Sequence, residues 1–566
     1  MRYVSFLLFL TFSISSSFSQ WSTDPTQNLK VASGAINPQI CTDGSGGCYI
    51  AWETGAPPNR RLLRIQRLDR FGFIQFPEQG LPIRIGEFDQ ANLMLFEDGV
   101  GGAIVVFNEL VQVADTLRAV VFAQRFDSTS GRVWGDSAVV VSPSPAHQIP
   151  LAVCGDEKGG AFIFWTENRK PDNFKELYVN KIDGDGSRVL GSEGVLIVES
   201  EIDIKAEVVC HRSNEFIVSY NQNLDVIVQK FTGKIVPLWG PGVNLGQFSF
   251  FRRMATDGNG GVILSAKTQS YFDNQPFFKL WAQRIDSSGN IVWNEGVVLA
   301  DSVKDPTSPP LTVANSDQNF YFIWRESPMD QGDVFIHLIN SKGMALWDHK
   351  FPVSLVESKK ASTESAIISG DAVILVWYDR RQNIESSSDL YTQLIDKTQN
   401  RLWGDSDTAV SVRSGLQFDP FAVVDGNGGI ILCWYEIGVG TGNGVFAQQV
   451  SRNGNLGEII TSVKIAEEDS NIPSNLHLFQ SYPNPFNPSM TIKYHIPEPA
   501  QVALKVFNIT GKEVITLLDK NQKPGIYQIN WNGKNWKGGE VASGIYFYQI
   551  NVAGKFVQTR KAIFIK

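Results

Sequence analysis

Histidine, methionine and cysteine are scarce in this chain, with 6, 6 and 5 copies among 566 residues. The histidines, at positions 147, 211, 337, 349, 477 and 495, stand apart, without the short spacing by which two imidazoles share a metal. No His-Glu-x-x-His, Cys-x-x-Cys, Gly-x-Ser-x-Gly or Gly-x-x-x-x-Gly-Lys-Ser/Thr occurs. The sequence therefore nominates no catalytic, cofactor-binding or metal-binding residue. An excess of basic charge is missing too. The formal net charge is −8, which gives no attraction to phosphate backbones and argues against a nucleic-acid partner. No apolar run, the N-terminal one included, is long enough to span a bilayer, and no long stretch keeps a helical period.

What the chain does have is 50 glycines, 26 prolines and 14 tryptophans, with 43% hydrophobic and 19% charged residues. Many turn formers with many aromatics predict an all-β protein of short strands, long enough for at least two domains.

A repeat organises the middle of the chain. Its clearest mark is an acidic, glycine-rich turn at Asp43–Gly47, Asp98–Gly102, Asp156–Gly160, Asp257–Gly261 and Asp425–Gly429, at a spacing near 56 residues once gaps are filled. Degenerate copies near Ser213–Glu215, Asp317–Asn319 and Gly370–Asp371 bring the count to eight. Five residues after the turn stands a large aromatic: Trp52, Phe107, Trp165, Tyr220, Trp324, Trp377 or Trp434, with Ala266 as the exception. An acid or asparagine follows within two positions: Glu53, Asn108, Glu167, Asn221, Glu326, Asp379 and Glu436. A third mark is Gln-Arg-apolar-Asp, as at Gln66–Asp69, Gln124–Asp127 and Gln283–Asp286. A fourth is a later Trp or Leu at 134, 190, 239, 293, 347 and 403.

Four short strands fit each unit, which is the pattern of a β-propeller. The segment Leu29–Ser33 resembles Ala409–Arg413, so the N-terminus is expected to supply the last strand of the final blade and close the ring. The reading is a propeller over residues 20–466, of eight blades or else seven, followed by a linker at 467–474 and a second β-domain at 475–566.

Residues 1–19 read as a signal peptide. Arg2 precedes the apolar run Tyr3–Phe12, and Ser17 and Ser19 fit a cleavage site before Gln20. An odd cysteine count leaves at least one thiol free. Cys41 and Cys48 flank a predicted hairpin turn, so either a disulfide joins them or all five cysteines are small buried side chains.

After residue 474 the repeat stops. Tyr482, Pro483, Asn484, Pro485, Phe486, Asn487 and Pro488 form a proline-fixed segment. Strands are predicted at Thr491–Ile496, Val502–Asn508, Gly525–Trp531, Gly544–Asn551 and Phe556–Ile565, enough for a small immunoglobulin-like sandwich. This opening, Val506–Val514, and the closing Ser543–Tyr548 with Gly544 and Tyr546, resemble the C-terminal sorting domain of type IX secretion cargo. The resemblance covers about the last 90 residues. It implies export through the periplasm and across the outer membrane by the type IX machinery, to the cell surface or the medium, with the domain cleaved and the cargo released or attached.

The remaining candidates are weak. Each Asp-Gly turn has too few acids for a calcium loop, Asp183–Gly186 being the least poor. Arginines 60, 61, 64, 67 and 70 form a basic run on a strand face or turn. The turn Asp286–Gly289 has one residue too many, and no preceding serine, for a sialidase repeat. The expected function is a non-enzymatic binding or structural propeller whose partner is a glycan or a surface protein. The alternative is a polysaccharide hydrolase or lyase with its site at the channel mouth.

Overall fold

The computed structural model describes residues 20–56, 60–86, 88–113, 116–129, 131–170, 174–211, 214–246, 252–272, 275–303, 309–326, 332–358, 360–381, 388–438, 442–457, 477–478, 481, 486, 490–496, 499–522, 525–535, 537, 539–552 and 556–565. The signal peptide, the 467–474 linker, Ser213, Tyr482, Pro483, Asn484, Pro485, Asn487 and Pro488 lie outside the described residues. Two compact units divide the chain, Met1–Ile459 and Ile460–Lys566. No described helix is long and apolar enough to cross a membrane.

The first unit is a succession of small antiparallel sheets. Sheet one is Ala35–Thr42, Cys48–Ala56, Arg60–Leu68 and Leu81–Pro82; sheet three is Ile149–Gly155, Ala161–Glu167, Lys175–Ile182 and Val195–Ser200. Sheets two, four, five, six and seven repeat this order and begin with Gln90–Glu97, Ala206–His211, Arg252–Thr256, Leu311–Ala314 and Lys360–Ser369. Sheet eight takes Gly415–Val424, Ile430–Gly438 and Gly444–Val450 from the end of the repeat, and its fourth strand is Leu29–Ser33. The first strand of each sheet contacts the first strand of the next, and Gly415–Val424 contacts Ala35–Thr42.

The repeated residues explain this regularity. Asp98 Oδ1 accepts the N–H groups of Val100 and Gly102, so the carboxylate builds the hairpin turn from within, and Oδ2 binds Arg125 at 2.8 Å. Asp43 with Arg67, Asp257 with Arg284 and Asp156 with Lys181 do the same. In sheet six Asn315 takes the turn role and accepts from Asp317 and Asn319. The glutamine of the third mark is buried; Gln124 accepts from the N–H groups of Arg125 and Trp134 and donates to the Gly135 carbonyl. Gln229, Gln283 and Gln393 repeat these bonds at their own tryptophans. The glutamine thus pins the loop between third and fourth strands.

The tryptophans of that loop reach across to the following sheet. The indole N–H of Trp134 donates to Gly184, Trp239 to Ser287, Trp293 to Ser341, Trp347 to Lys397 and Trp403 to Arg452, at 2.9–3.1 Å. Gly454 lies so close that a Cβ there would stand 2.6 Å from the Trp403 ring, and its φ of +80° also favours glycine. The eighth sheet has no such tryptophan in sequence order. Trp21 fills the place: its indole donates to Arg70 of sheet one at 3.0 Å, and Gln448 of sheet eight donates to Ser22 at 3.0 Å. Asn28 bonds the Val410 carbonyl, so the segment before Leu29–Ser33 is seated as well.

The cysteine expectation is corrected. Cys41 and Cys48 are both free and buried, as is Cys433, whereas Cys154 and Cys210 form a disulfide. The two joined cysteines stand on the first strands of sheets three and four, 56 residues apart. Equivalent positions of neighbouring repeats meet where the first strands of successive sheets are in contact, whereas Cys41 and Cys48 lie at the ends of directly paired strands around the tight turn.

The second unit holds a three-stranded sheet, His477–Leu478, Met490–Ile496 and Gly525–Trp531, and a four-stranded sheet, Glu513–Gln522, Ala500–Asn508, Gly544–Val552 and Phe556–Phe564. Glu513–Gln522 was not among the predicted strands; its alternation is broken by a polar end at 519–522. One apolar core fills this unit. Phe486, from the proline-fixed opening, is 1% exposed and packs on Trp531 and Phe564. Tyr546 stacks edge-on with Trp531 and its hydroxyl donates to the Ala542 carbonyl at 2.7 Å. Gly544 opens the closing strand.

Candidate functional sites on the repeating sheets

Chemistry-bearing residues gather at the ends of the second strands. In each unit the large aromatic sits directly opposite a residue of the third strand: Phe107 faces Phe122, Trp165 Tyr178, Trp324 Phe335, Trp377 Tyr391 and Trp434 Phe446. Ala266 breaks the rule because its partner is Trp281, so the bulk has moved to the opposite strand. On these third-strand rings rests a cation. Arg84 lies 4.4 Å over Phe122, Arg169 3.8 Å over Tyr178, Lys350 4.1 Å over Phe335, Arg381 3.4 Å over Tyr391 and Arg413 4.5 Å over Phe446.

Each cation also pairs with a carboxylate at the end of its sheet. Arg84 binds Glu109, Arg169 binds Glu167, Lys350 binds Glu326, Arg381 binds Asp379 at 2.9 Å and Arg413 binds Glu436 at 3.1 Å. Arg381 takes a second acid, Asp407, at 2.6 Å. Glu53 has the loosest partner, Arg61 at 3.9 Å. Asn108 and Asn221 serve as hydrogen-bonding spacers, to Gln148 and to Asp203 with Lys205. The repeated acids seen in the sequence are thus members of a carboxylate–cation–ring stack that fixes the strand ends.

One acid departs from this. Asp389, directly across from Asp379, is 2% exposed, and Tyr391 stands 3.5 Å away. Burial, with the nearby Asp379 charge, pushes its carboxyl up to about 6.

The first strands carry a second set of polar groups. Asn37, Asn92 and Asp419 lie on the first strands of sheets one, two and eight, at bulges where the register shifts, with φ of 50°, 54° and 48°. All three are exposed, while the next residue, Pro38, Leu93 or Pro420, is buried. On sheet five, Arg252 is 4% exposed; Nε donates to Ser219 at 2.9 Å and Nη2 to the Lys205 carbonyl at 2.8 Å, but the buried Nη1 has no hydrogen-bond partner among the described residues. Burial lowers its guanidinium to about 10. Glu207 is the register partner of Ser219, so it faces the same seam. It is exposed, yet its confined surroundings raise its carboxyl above the usual range.

Other sequence candidates are settled locally. The Asp183 carboxylate binds Lys181 at 2.9 Å. Arg67 is held by Asp43, and Arg64 donates to the Gly80 carbonyl. Among the described residues no cluster of three or more His, Cys, Asp or Glu could hold a metal ion. Arg252 and Asp389 were not singled out from sequence, since neither carries a repeat mark.

Residues 487–555 match the family model of the FlgD Ig-like domain. No curated protein matches the chain. Solved structures resemble it at low similarity. One titled as the eukaryotic initiation factor is 10% identical with a TM-score of 0.39, covering 76% of this chain and 89% of its own. A PL25 ulvan lyase bound to -[GlcA(1-4)Rha3S]- is 9% identical with a TM-score of 0.37, covering 75% and 96%. A protein of unknown function from Dyadobacter fermentans is 11% identical with a TM-score of 0.35, covering 64% and 95%. The C-terminal unit of this chain is an immunoglobulin-like domain, and the chain as a whole is an all-β protein.

Proposed function

We propose that the eight sheets are blades of one β-propeller, latched by Trp21 and Leu29–Ser33, and that this propeller is an exported, non-enzymatic binding or structural module. The observation that carries the non-enzymatic reading is the pairing of the strand-end acids. Glycoside hydrolysis needs one protonated acid and a second carboxylate free to act as base or nucleophile. Here Glu109, Glu167, Glu326, Asp379 and Glu436 each hold a cation that rests on a ring of the same sheet. The C-terminal domain is proposed to direct type IX secretion, supported by the Phe486 anchor within its proline-fixed opening and by Gly544 and Tyr546 in its closing strand.

A glycan-array and polysaccharide-depolymerisation screen on the mature chain tests the first reading. Saturable binding without product is the expected result, and product release overturns it. Deleting residues 475–566 tests the second: the protein is expected to remain in the periplasm, and unchanged surface exposure overturns it. The alternative of a hydrolase or lyase rests on Asp389, whose proton affinity suits a general acid. Product formation abolished by Asp389→Asn would establish it.

A further inference from the structure

We propose that Arg252, with Arg253 and Glu207 beside it, forms an oxyanion-binding site on the first strands of sheets four and five, and that its ligand is an acidic polysaccharide. This deepens the binding reading above and rests on it for the ligand class.

The argument begins with a departure from the repeat. The strand-end cations Arg84, Arg169, Lys350, Arg381 and Arg413 are each closed by a carboxylate. Arg252 is as buried as a core residue, and no described carboxylate bonds it. Its guanidinium is fixed along one edge, Nε to Ser219 and Nη2 to Lys205, so its orientation is set before any ligand arrives. Nη1 then remains as a charged donor with no acceptor among the described residues. An unpaired buried charge–dipole of this kind is destabilising, and an oxygen bearing negative charge satisfies it best.

The surroundings fit such a group. Arg253, the next residue along the strand and half-exposed, acts electrostatically on Glu207 together with Arg252. Glu207 has the opposite charge and faces the same seam; burial raises its carboxyl above the usual range, against the attraction of Arg252 and Arg253. A carboxylate or sulfate in this place would be attracted by the guanidinium charge and opposed by the Glu207 carboxyl. Carboxylate and sulfate share this chemistry, and both occur on acidic polysaccharides.

The test uses the full mature chain and three probes at matched ionic strength: sodium sulfate, a galacturonate oligomer and a sulfated glucan oligomer. Affinity is read by calorimetry and thermal shift. Arg252→Gln is expected to weaken binding of the preferred oligomer by at least about tenfold, the value of one charge-assisted hydrogen bond. Glu207→Gln, which removes the opposing charge without touching Arg252, is expected to strengthen it by about threefold. Which oligomer responds identifies carboxylate or sulfate. An acidic oligomer that binds equally to both variants and the parent overturns this site while leaving the binding module intact. If no oligomer binds but sulfate raises the melting temperature only when Arg252 is present, the oxyanion site stands, while its polysaccharide ligand and the binding-module reading are both overturned. If no probe has any effect on the parent protein, the site is overturned.

Discussion

The two units solve the same problem of burying apolar sheet faces in opposite ways. The repeating unit divides its interior into small clusters between neighbouring sheets, several of them reinforced by a tryptophan N–H reaching the next turn. The C-terminal unit has one core, in which Phe486, Trp531, Tyr546 and Phe564 touch one another. Where seams are many, stability is approximately a sum of neighbouring terms, and most single losses stay local. The seam between sheets eight and one is different, because it joins chain segments more than 400 residues apart, as in the Gln448 bond to Ser22. It therefore resembles the single core in depending on a few residues.

That equivalence can be broken by mutation. Phe486→Ala is expected to destabilise the C-terminal unit by about 3–5 kcal/mol, and Trp21→Ala the repeating unit by a similar amount. Denaturant titration followed separately for the two transitions checks both. If Trp21→Ala costs no more than Trp239→Ala at an ordinary seam, closure has no special weight.

The disulfide sharpens the comparison at one internal seam. Reducing Cys154–Cys210, or replacing Cys154 by serine, is expected to cost about 2–4 kcal/mol, and the variant should no longer respond to reductant. Melting with and without dithiothreitol reads this directly.

Asp389 offers a smaller, pH-dependent effect. Its carboxyl is raised from 3.8 to about 6 in the folded protein, so the folded state binds the proton more tightly than the unfolded chain does. The stability due to the protonated form is complete below about pH 4 and is lost as pH rises through about 6. Asp389→Asn is therefore expected to be more stable than the parent at pH 7, by on the order of 1–3 kcal/mol, and equal to it near pH 4. Thermal melts at both values decide; a difference independent of pH would remove Asp389 as the cause.

The smallest effect is expected at an outer turn. Asp396→Ala removes a cap that accepts from Thr398 and Asn400, at a cost of about 0.5–1.5 kcal/mol. Asp98→Ala also leaves Arg125 without its carboxylate and should cost more, about 1–3 kcal/mol. Equal values would show that the ion pairs behind the turns contribute little.

Much of this architecture could be read before any coordinates. The turns, the opposed aromatics and the pinning glutamine act within one hairpin or its adjoining loop, so each repeat must carry them in sequence. The N-terminal strand was legible because Leu29–Ser33 mimics a fourth strand. Trp21 carries no repeat mark of its own, although Trp21-Ser22 parallels Trp134-Gly135, because it precedes the first recognisable unit. The cysteines misled for a related reason. Proximity along the chain favours Cys41 with Cys48, whereas sheet packing brings together residues one repeat apart.

By itself, then, the sequence determined the strands, the turns, the eightfold repeat and the two-part organisation, because these follow from local hydrogen bonding and from burial on alternate faces. Packing between sheets sets which cation meets which acid, which cysteines join, and that Arg252 keeps a donor without an acceptor among the described residues. Those outcomes depend on groups from different sheets approaching within a few ångströms, and no spacing along the chain encodes that distance.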